Sequence, residues 1–338
     1  MKLYAGIDLH SSNNYVGIID ENDKRVFGKR LDNNLPDVLQ ILEPFKKELE
    51  GIVVESTYNW YWLVDGLQEN GYRVHLANPS AIQQYEGLKY TDDKWDSFWL
   101  AHMRRLNILP EGYIYPKADR AIRDLLRRRL LFVQQRTSQI LSLQSMITRQ
   151  LGIRMSGNAI KKLKEDDVHQ MFDSNQAFMA ALQIQTIGNL SNAIKEIERK
   201  VLSQVKMRKA FELLQTIPGI GNILGLTIML EVGDITRFAK VGCYSSYCRC
   251  VKSEKISNGK KKGKNNTKNG NKYLAWAYVE AANFAKRFSP EARKFFQRKN
   301  AQRNGIVATK ALSNKICRAS YYIMRDQIPF DEVGLFCR

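Results

Sequence analysis

A mixed α/β domain, a long helical middle and a mostly helical end make up the fold class this sequence predicts. Three observations carry it. Over residues 1–116, short apolar runs of strand length alternate with segments of helical periodicity. From Lys117 to about Leu151 no Pro or Gly interrupts a run rich in Leu, Arg and Gln. From residue 211 a Pro/Gly turn leads into apolar helical segments. The expected domains are 1–116, 117–210 and 211–338.

In the first domain, Leu3 to Leu9 reads as a buried strand, Tyr15 to Ile19 as a second and Arg25 to Leu31 as a third. The polar turn Asp20-Glu21-Asn22-Asp23-Lys24 joins the last two as a hairpin. A helix is predicted from about Pro36 to Leu49, with Pro in the first turn where its missing N–H costs nothing. Gly51-Ile52-Val53-Val54-Glu55 is apolar enough for a central strand. A helix from Trp60 to Asn70, a strand from Tyr72 to Ala77, a short helix at Pro79 and a helix holding Asp93 follow. That order fits a ribonuclease H-like fold, an antiparallel hairpin extending a parallel core with helices on its faces. An actin-like or sugar-kinase fold opens similarly but needs Gly-rich phosphate loops, which do not follow these strands.

In the middle, Leu126, Val133, Ile140 and Ile147 recur at heptad spacing, as in a coiled-coil seam. Arg129 and Arg136 leave that seam incomplete. Ser156 to Asp167 reads as a turn region. Gln176 to about Leu214 is helical again, with Gly188 a possible break and Leu190, Ile194, Ile197 and Val201 on one stripe. Two long helices returning on each other make a dimerising arm or an ordinary helical hairpin. Arg127-Arg128-Arg129 is a phosphate contact or a solvated face.

In the last third, Ile217-Pro218-Gly219-Ile220-Gly221 before an apolar helix looks like a helix-hairpin-helix element, where the N–H groups of Gly219 and Gly221 would meet a phosphate. That helix ends around Glu231 to Ile235, and Phe238 to Tyr247 forms another. The stretch 257–272 carries Lys260, Lys261, Lys262, Lys264, Lys268 and Lys272 and no acid. Its glycines and asparagines predict a loop without helix or strand preference. An apolar helix, Tyr273 to Phe288, follows directly, which suggests a loop that clamps a nucleic-acid backbone. Ser257 could serve there as a nucleophile on phosphorus, or be an ordinary loop serine.

The charge balance narrows the partners. Lys and Arg number 53 against 34 Asp and Glu, a net charge of +19. A pI near 9.7 points to a polyanion, most commonly nucleic acid. No apolar run reaches membrane-spanning length, and an acid at position 8 stands where a signal peptide would be apolar, so a cytoplasmic protein is expected. Five cysteines include Cys248 and Cys250 as C-x-C, without a second ligand pair at zinc spacing, so buried thiols are expected.

The chemistry centres on Lys89-Tyr90-Thr91-Asp92-Asp93-Lys94-Trp95-Asp96-Ser97. Asp93 and Asp96 are i and i+3 on a helix, so they share a face. Like charges so close repel unless a cation sits between them, and hard oxygen ligands suit magnesium. Helix-dipole stabilisation of N-terminal acids is the plainer reading. Asp8 lies in an otherwise apolar strand, where a charge is costly unless paired or metal-bound. Glu55 ends the strand expected beside it. These four carboxylates could hold two metal ions about 4 Å apart for phosphodiester chemistry. Asp8 could instead accept backbone hydrogen bonds, and Glu55 could cap a helix. Asp92 reads as a solvated neighbour, and His10 as structural.

Taken together, G-I-D-L-H at 6–10, V-V-E-S at 53–56, Y-T-D-D-K-W-D-S at 90–97, I-P-G-I-G at 217–221 and S-N-G-K-K-K-G with N-T-K-N-G-N-K-Y-L at 257–274 resemble transposases of the insertion sequence 110 family, especially its 1111 branch. The resemblance covers nearly the whole chain. It implies a RuvC-like domain whose D-E-D-D metal site maps to Asp8, Glu55, Asp93 and Asp96, with Mg2+ as cofactor. It implies a C-terminal transposase domain with a serine nucleophile, by motif Ser257, with Ser253 as the fallback. It also implies donor and target DNA as substrates, a structured noncoding guide (bridge) RNA, and a homo-oligomer, dimer or tetramer, with composite sites. Ser97 stands where the family often has Ala.

The expected function is therefore an RNA-guided, magnesium-dependent serine recombinase of the cytoplasm, associated with the nucleoid. The rivals are a metal-dependent nuclease or Holliday-junction resolvase using water, and a noncatalytic nucleic-acid binder.

Overall fold

The computed structural model describes residues 1–82, 92–204, 208–263 and 269–336, with Lys255 described by its backbone. Lys89 to Thr91, Lys264 and Lys268, all singled out above, lie outside the described residues. The chain divides into two compact units, Met1–Lys117 and Ala118–Arg338.

The first unit is built on β1 (Leu3–Leu9), β2 (Asn13–Asp20), β3 (Arg25–Asp32), β4 (Leu49–Glu55), β5 (Val74–Ala77) and β6 (Glu111–Gly112). They form one sheet in the order β3-β2-β1-β4-β5-β6. β1, β4 and β5 run parallel, β2 and β3 extend them as an antiparallel hairpin, and β6 closes the other edge antiparallel to β5. The hairpin on a parallel core is as expected; β6, only two residues long, was not foreseen.

Period-two alternation sorts the two faces. Leu3, Ala5, Ile7, Leu9, Ile52 and Val54 pack with Val38, Leu42, Leu63, Val64 and Leu67 from α1 (Leu35–Leu42) and α2 (Tyr61–Glu69). Each such buried Leu or Ile side chain contributes about 1.5–3 kcal/mol. Gly6 and Asp8 face the other way, toward α3 (Asp93–Arg105). The helix expected over 36–49 stops at Leu42, because Pro44 cannot donate in a continuing helix; a 3-10 turn, Glu43–Phe45, follows instead. The helix at Pro79 is likewise one 3-10 turn, Pro79–Ala81.

The second unit opens with α4 (Lys117–Leu151), bounded as the sequence predicts. After the short α5 (Gly157–Ile160) and α6 (Glu165–Met171), where only a turn region was expected, α7 (Ser174–Gln204) returns along α4. Gly188 does not break α7, since an isolated Gly costs only about 1 kcal/mol against Ala. The expected run to Leu214 is two elements, α7 and α8 (Lys209–Leu214), separated by residues outside the description.

The heptad positions Leu126, Ile140 and Ile147 are buried. Arg129 and Arg136, which spoiled the apolar seam, bond across it, Arg129 Nε to Glu198 Oε1 at 2.8 Å and Arg136 Nη1 to Ser191 Oγ at 3.2 Å. Gln183 Nε2 donates to Ser142 Oγ at 2.9 Å, and Arg208 Nη2 to Asp119 Oδ1 at 2.6 Å. As one index climbs the other falls, so the hairpin is antiparallel.

The rest of the unit surrounds α9 (Asn222–Val232), buried on all sides from Leu224 onward, as befits a helix whose only polar residues there are Thr227 and Glu231. α10 (Val241–Tyr247), β7 (Lys255–Ser257), β8 (Lys260–Gly263), α11 (Lys272–Phe288), α12 (Pro290–Gln302), α13 (Gly305–Asp326) and α14 (Glu332–Phe336) complete it. α10 starts three residues after the expected Phe238, behind a 3-10 turn at Ile235–Arg237. Cys248, Cys250 and Cys317 are buried free thiols, as expected, whereas Cys243 on α10 is exposed. Among the described residues no helix is long and apolar enough to cross a membrane.

Candidate active site

Backbone proximity builds this site. Gly6, Gly17 and Gly28 face one another across β1, β2 and β3. A Cβ on Gly6 would lie 2.0 Å from the Ser97 carbonyl oxygen and 2.8 Å from Ala101 N; one on Gly17 would lie 2.7 Å from Ser97 Oγ. One on Gly28 would meet Phe98 at 3.0 Å. The glycine row is thus a bare strip on which α3 lies. Ser97, fully buried, is small enough to fit, and its hydroxyl is satisfied by the Lys94 carbonyl at 2.9 Å.

Lying there, α3 brings its first turn to the ends of β1 and β4. Asp92 caps the helix, its Oδ1 accepting from Trp95 N at 2.6 Å. Asp92, expected as a solvated neighbour, is exposed and in addition caps the helix, while Asp93 and Asp96 turn toward Asp8. Asp8 is 2% exposed at the end of β1, and Glu55 ends β4, one position beyond the paired Ile7 and Val54. His10 Nε2 sits 3.2 Å from Asp8 Oδ2 and 3.0 Å from Asp93 Oδ1. The His10 carbonyl accepts from Asn33 Nδ2 at 3.0 Å and Asn59 Nδ2 at 2.9 Å, which fixes that turn. Arg30 pairs with Asp93 from β3. Asp8, Tyr15 and Arg30 are register neighbours across three strands, so Arg30 reaches the site along one sheet face. His10 thus bridges two of the acids, a larger part than a structural strand-end residue. Arg30 was not singled out in the sequence, which shows it only once the strand register is known.

The electrostatics follow from burial and crowding. Burial, the hydrogen bond with Asp8 and the charges of Asp8 and Asp96 push Glu55 up to about 8. Burial and the charges of Asp8, Asp93 and Asp92 push Asp96 up to about 6. Asp8 is raised by burial, against the lowering pull of Glu55, His10 and Arg30. Burial raises Asp93 too, but its hydrogen bond to His10 and the charges of His10 and Arg30 outweigh it and leave it lowered. Four acids share fewer than four negative charges at neutral pH unless a cation joins them.

The residues fit a cation on two counts. Asp8 Oδ2 and Asp96 Oδ1 are buried oxygens without a well-formed hydrogen bond among the described residues. Asp8, His10 and Asp93 each offer one ligand atom, all within 4.8 Å of one another. Carboxylate oxygens suit Mg2+ or Mn2+, and imidazole tolerates the latter.

In the second unit Ser257 ends β7, exposed, and pairs with Lys260 across the turn Asn258-Gly259. Both turn residues have positive φ, 49° and 69°, the mark of a two-residue hairpin turn. The loop expected without strand structure is therefore a β-hairpin at 255–263. Lys261 Nζ pairs with Glu254 Oε1 at 2.9 Å, while Lys260 and Lys262 are exposed. Ser253, not Ser257, lines a cleft of about 590 Å3 with Arg249 and Lys310. Gly219, at φ 94°, lets the I-P-G-I-G turn press on α11, since a Cβ there would meet Ala285 N at 2.5 Å. Gly221 faces open space.

Residues 5–150 match the DEDD transposase domain model of the IS110 type, and residues 211–297 match the Transposase IS116/IS110/IS902 family. The chain is a DNA transposase. No curated protein matches it significantly. The transposase's four acids fall inside the first match, and Ser253, Ser257 and Lys260 to Lys262 inside the second.

Proposed function

We propose that this transposase cuts and rejoins DNA through a transient serine–DNA link, with Asp8, Glu55, Asp93 and Asp96 holding Mg2+ in a ribonuclease H-like domain. The observation that carries the metal reading is the buried Asp96 Oδ1, without a hydrogen bond among the described residues, close to Asp8, whose Oδ2 meets only His10 Nε2, and to neighbours whose charges repel. A bound cation, or two, would neutralise charge on the scissile phosphate. His10 and Arg30 orient Asp93 and hold it ionised. The Ser257 hydroxyl attacks phosphorus: the Oγ–P bond forms, the P–O bond to the leaving strand breaks, and the serine proton ends on the departing oxygen. Lys260 and Lys262 offset the charge gained at phosphorus.

The net charge of +19 supports large polyanionic partners, donor and target DNA and a structured noncoding guide RNA. The working form is a homo-oligomer, dimer or tetramer, whose composite sites join the acids of one subunit to the serine of another, in the bacterial cytoplasm at the nucleoid. A second reading, a metal-dependent nuclease or junction resolvase, draws on the fact that the acid cluster is assembled within the first unit, whereas Ser257 belongs to the second.

Trapping separates the two. A covalent protein–DNA adduct that survives denaturation, disappears in Ser257→Ala and persists in Ser253→Ala supports the serine reading. Cleavage that continues unchanged in Ser257→Ala refutes it.

A further inference from the structure

We propose that the cleft between α4 and α11 binds one unpaired nucleotide, its base stacked on Trp276 and its phosphate held by Arg128 and Lys272. The proposal deepens the nucleic-acid reading and rests on it for the class of ligand. The cleft holds about 640 Å3, inside the roughly 300–1,000 Å3 typical of ligand sites. Its walls combine the three groups a nucleotide needs: an aromatic plane, an apolar side and unneutralised cations.

Trp276 is half-buried, packed against the second unit's core on one side and lining the cleft on the other. Tyr273 cannot offer the same platform, because Arg127 lies over its ring at 4.5 Å and Lys272 Nζ approaches it at 5.2 Å. Arg127 is itself fixed, giving two bonds to buried Glu231, Nε to Oε1 at 2.6 Å and Nη2 to Oε2 at 2.7 Å. Asn271 Nδ2 adds a third to Glu231 at 2.7 Å, while its Oδ1 caps α11. One wall is therefore rigid and charge-balanced. Leu131, 39% exposed, supplies an apolar side.

Arg128 and Lys272 stand at the mouth, exposed, with no carboxylate partner among the described residues. Asp124 also lines the cleft, but Arg123 lies 3.7 Å from it. In the sequence, Lys272 is the last residue of the basic stretch that begins at Lys260. Duplex DNA keeps its bases stacked inside, whereas a single strand can offer one to a tryptophan.

Binding of the full-length protein to labelled oligouridylate, oligothymidylate and duplex DNA of equal length, read by fluorescence anisotropy, tests this. Trp276→Leu and the pair Arg128→Ala with Lys272→Ala should each weaken single-strand binding about tenfold and leave duplex binding within about twofold. Trp276→Phe should retain most of it. The strand bound more tightly tells whether the nucleotide comes from RNA or DNA. Single-strand affinity that is unchanged, or that falls in step with duplex affinity, overturns the site. The unsubstituted protein gives a check that does not depend on variant folding: strands carrying 4-thiouridine or 4-thiothymidine should cross-link to the peptide containing Trp276, and adducts confined to other peptides overturn the site. Both readouts are of binding, so they stand apart from the serine-adduct result.

Discussion

Gly6 meets Ser97 backbone to backbone, and no side chain of any kind fits between them: a Cβ on Gly6 would fall 2.0 Å from the Ser97 carbonyl oxygen. The acids of α3 reach Asp8 because of this contact.

Gly6→Ala should therefore lift α3 from the sheet and cost about 1–3 kcal/mol or more, since backbone stands on both sides of the clash. Gly17→Ala should cost less, because its nearest neighbour is the Ser97 hydroxyl at 2.7 Å, which can be removed. Thermal unfolding should place Gly6→Ala below Gly17→Ala. Adding Ser97→Ala should partly restore the second variant and not the first. Equal melting temperatures for the two single variants would contradict the packing described.

The acid cluster predicts a pH signature in the metal-free protein. Glu55 is raised from its ordinary 4.5 to about 8, so folding favours its protonated form. That contribution is complete below about pH 4.5 and is lost as pH rises toward 8. Asp96, raised from 3.8 to about 6, acts with the same sign over a lower window. In EDTA, Glu55→Gln should melt above the parent by roughly 2–5 °C at pH 8 and by little at pH 5. Mg2+ should then raise the parent's melting temperature and move Glu55→Gln far less, by mass action on the folded state. A parent that Mg2+ leaves unmoved would count against the cation site.

Glu231, 1% exposed, depends on Arg127 for its charge balance. Arg127→Ala should cost about 3–5 kcal/mol in chemical denaturation, because the buried carboxylate loses its guanidinium and keeps only weaker partners such as Asn271 Nδ2. Arg127→Lys should fall short of rescue, since an ammonium cannot make both parallel bonds. Arg127→Met with Glu231→Gln should unfold later than Arg127→Met alone.

Much of the first unit was legible in the chain because its strands obey period two and its acids break an apolar pattern. Leu3 to Leu9 and Lys117 to Leu151 carry their own boundaries, the latter through the lack of Pro and Gly. The glycine row was not legible. Gly6, Gly17 and Gly28 acquire meaning only after two hairpin turns set the register. Arg30 was hidden for the same reason. The 255–263 hairpin was hidden by composition, since lysines are weak strand formers. Yet Asn258-Gly259 is the strongest short hairpin signal a sequence can hold, and it outweighs its lysine neighbours.

The polar rungs of the α4–α7 arm carry a further consequence. A seam of leucines alone could slide by a heptad and find equivalent partners. Here, a slide by one heptad would keep at most one arginine rung, setting Arg136 against Glu198 or Arg129 against Ser191, and would part Gln183 from Ser142. The arm is thereby a ruler of one length, and whatever its tip meets is held at a set distance from its root.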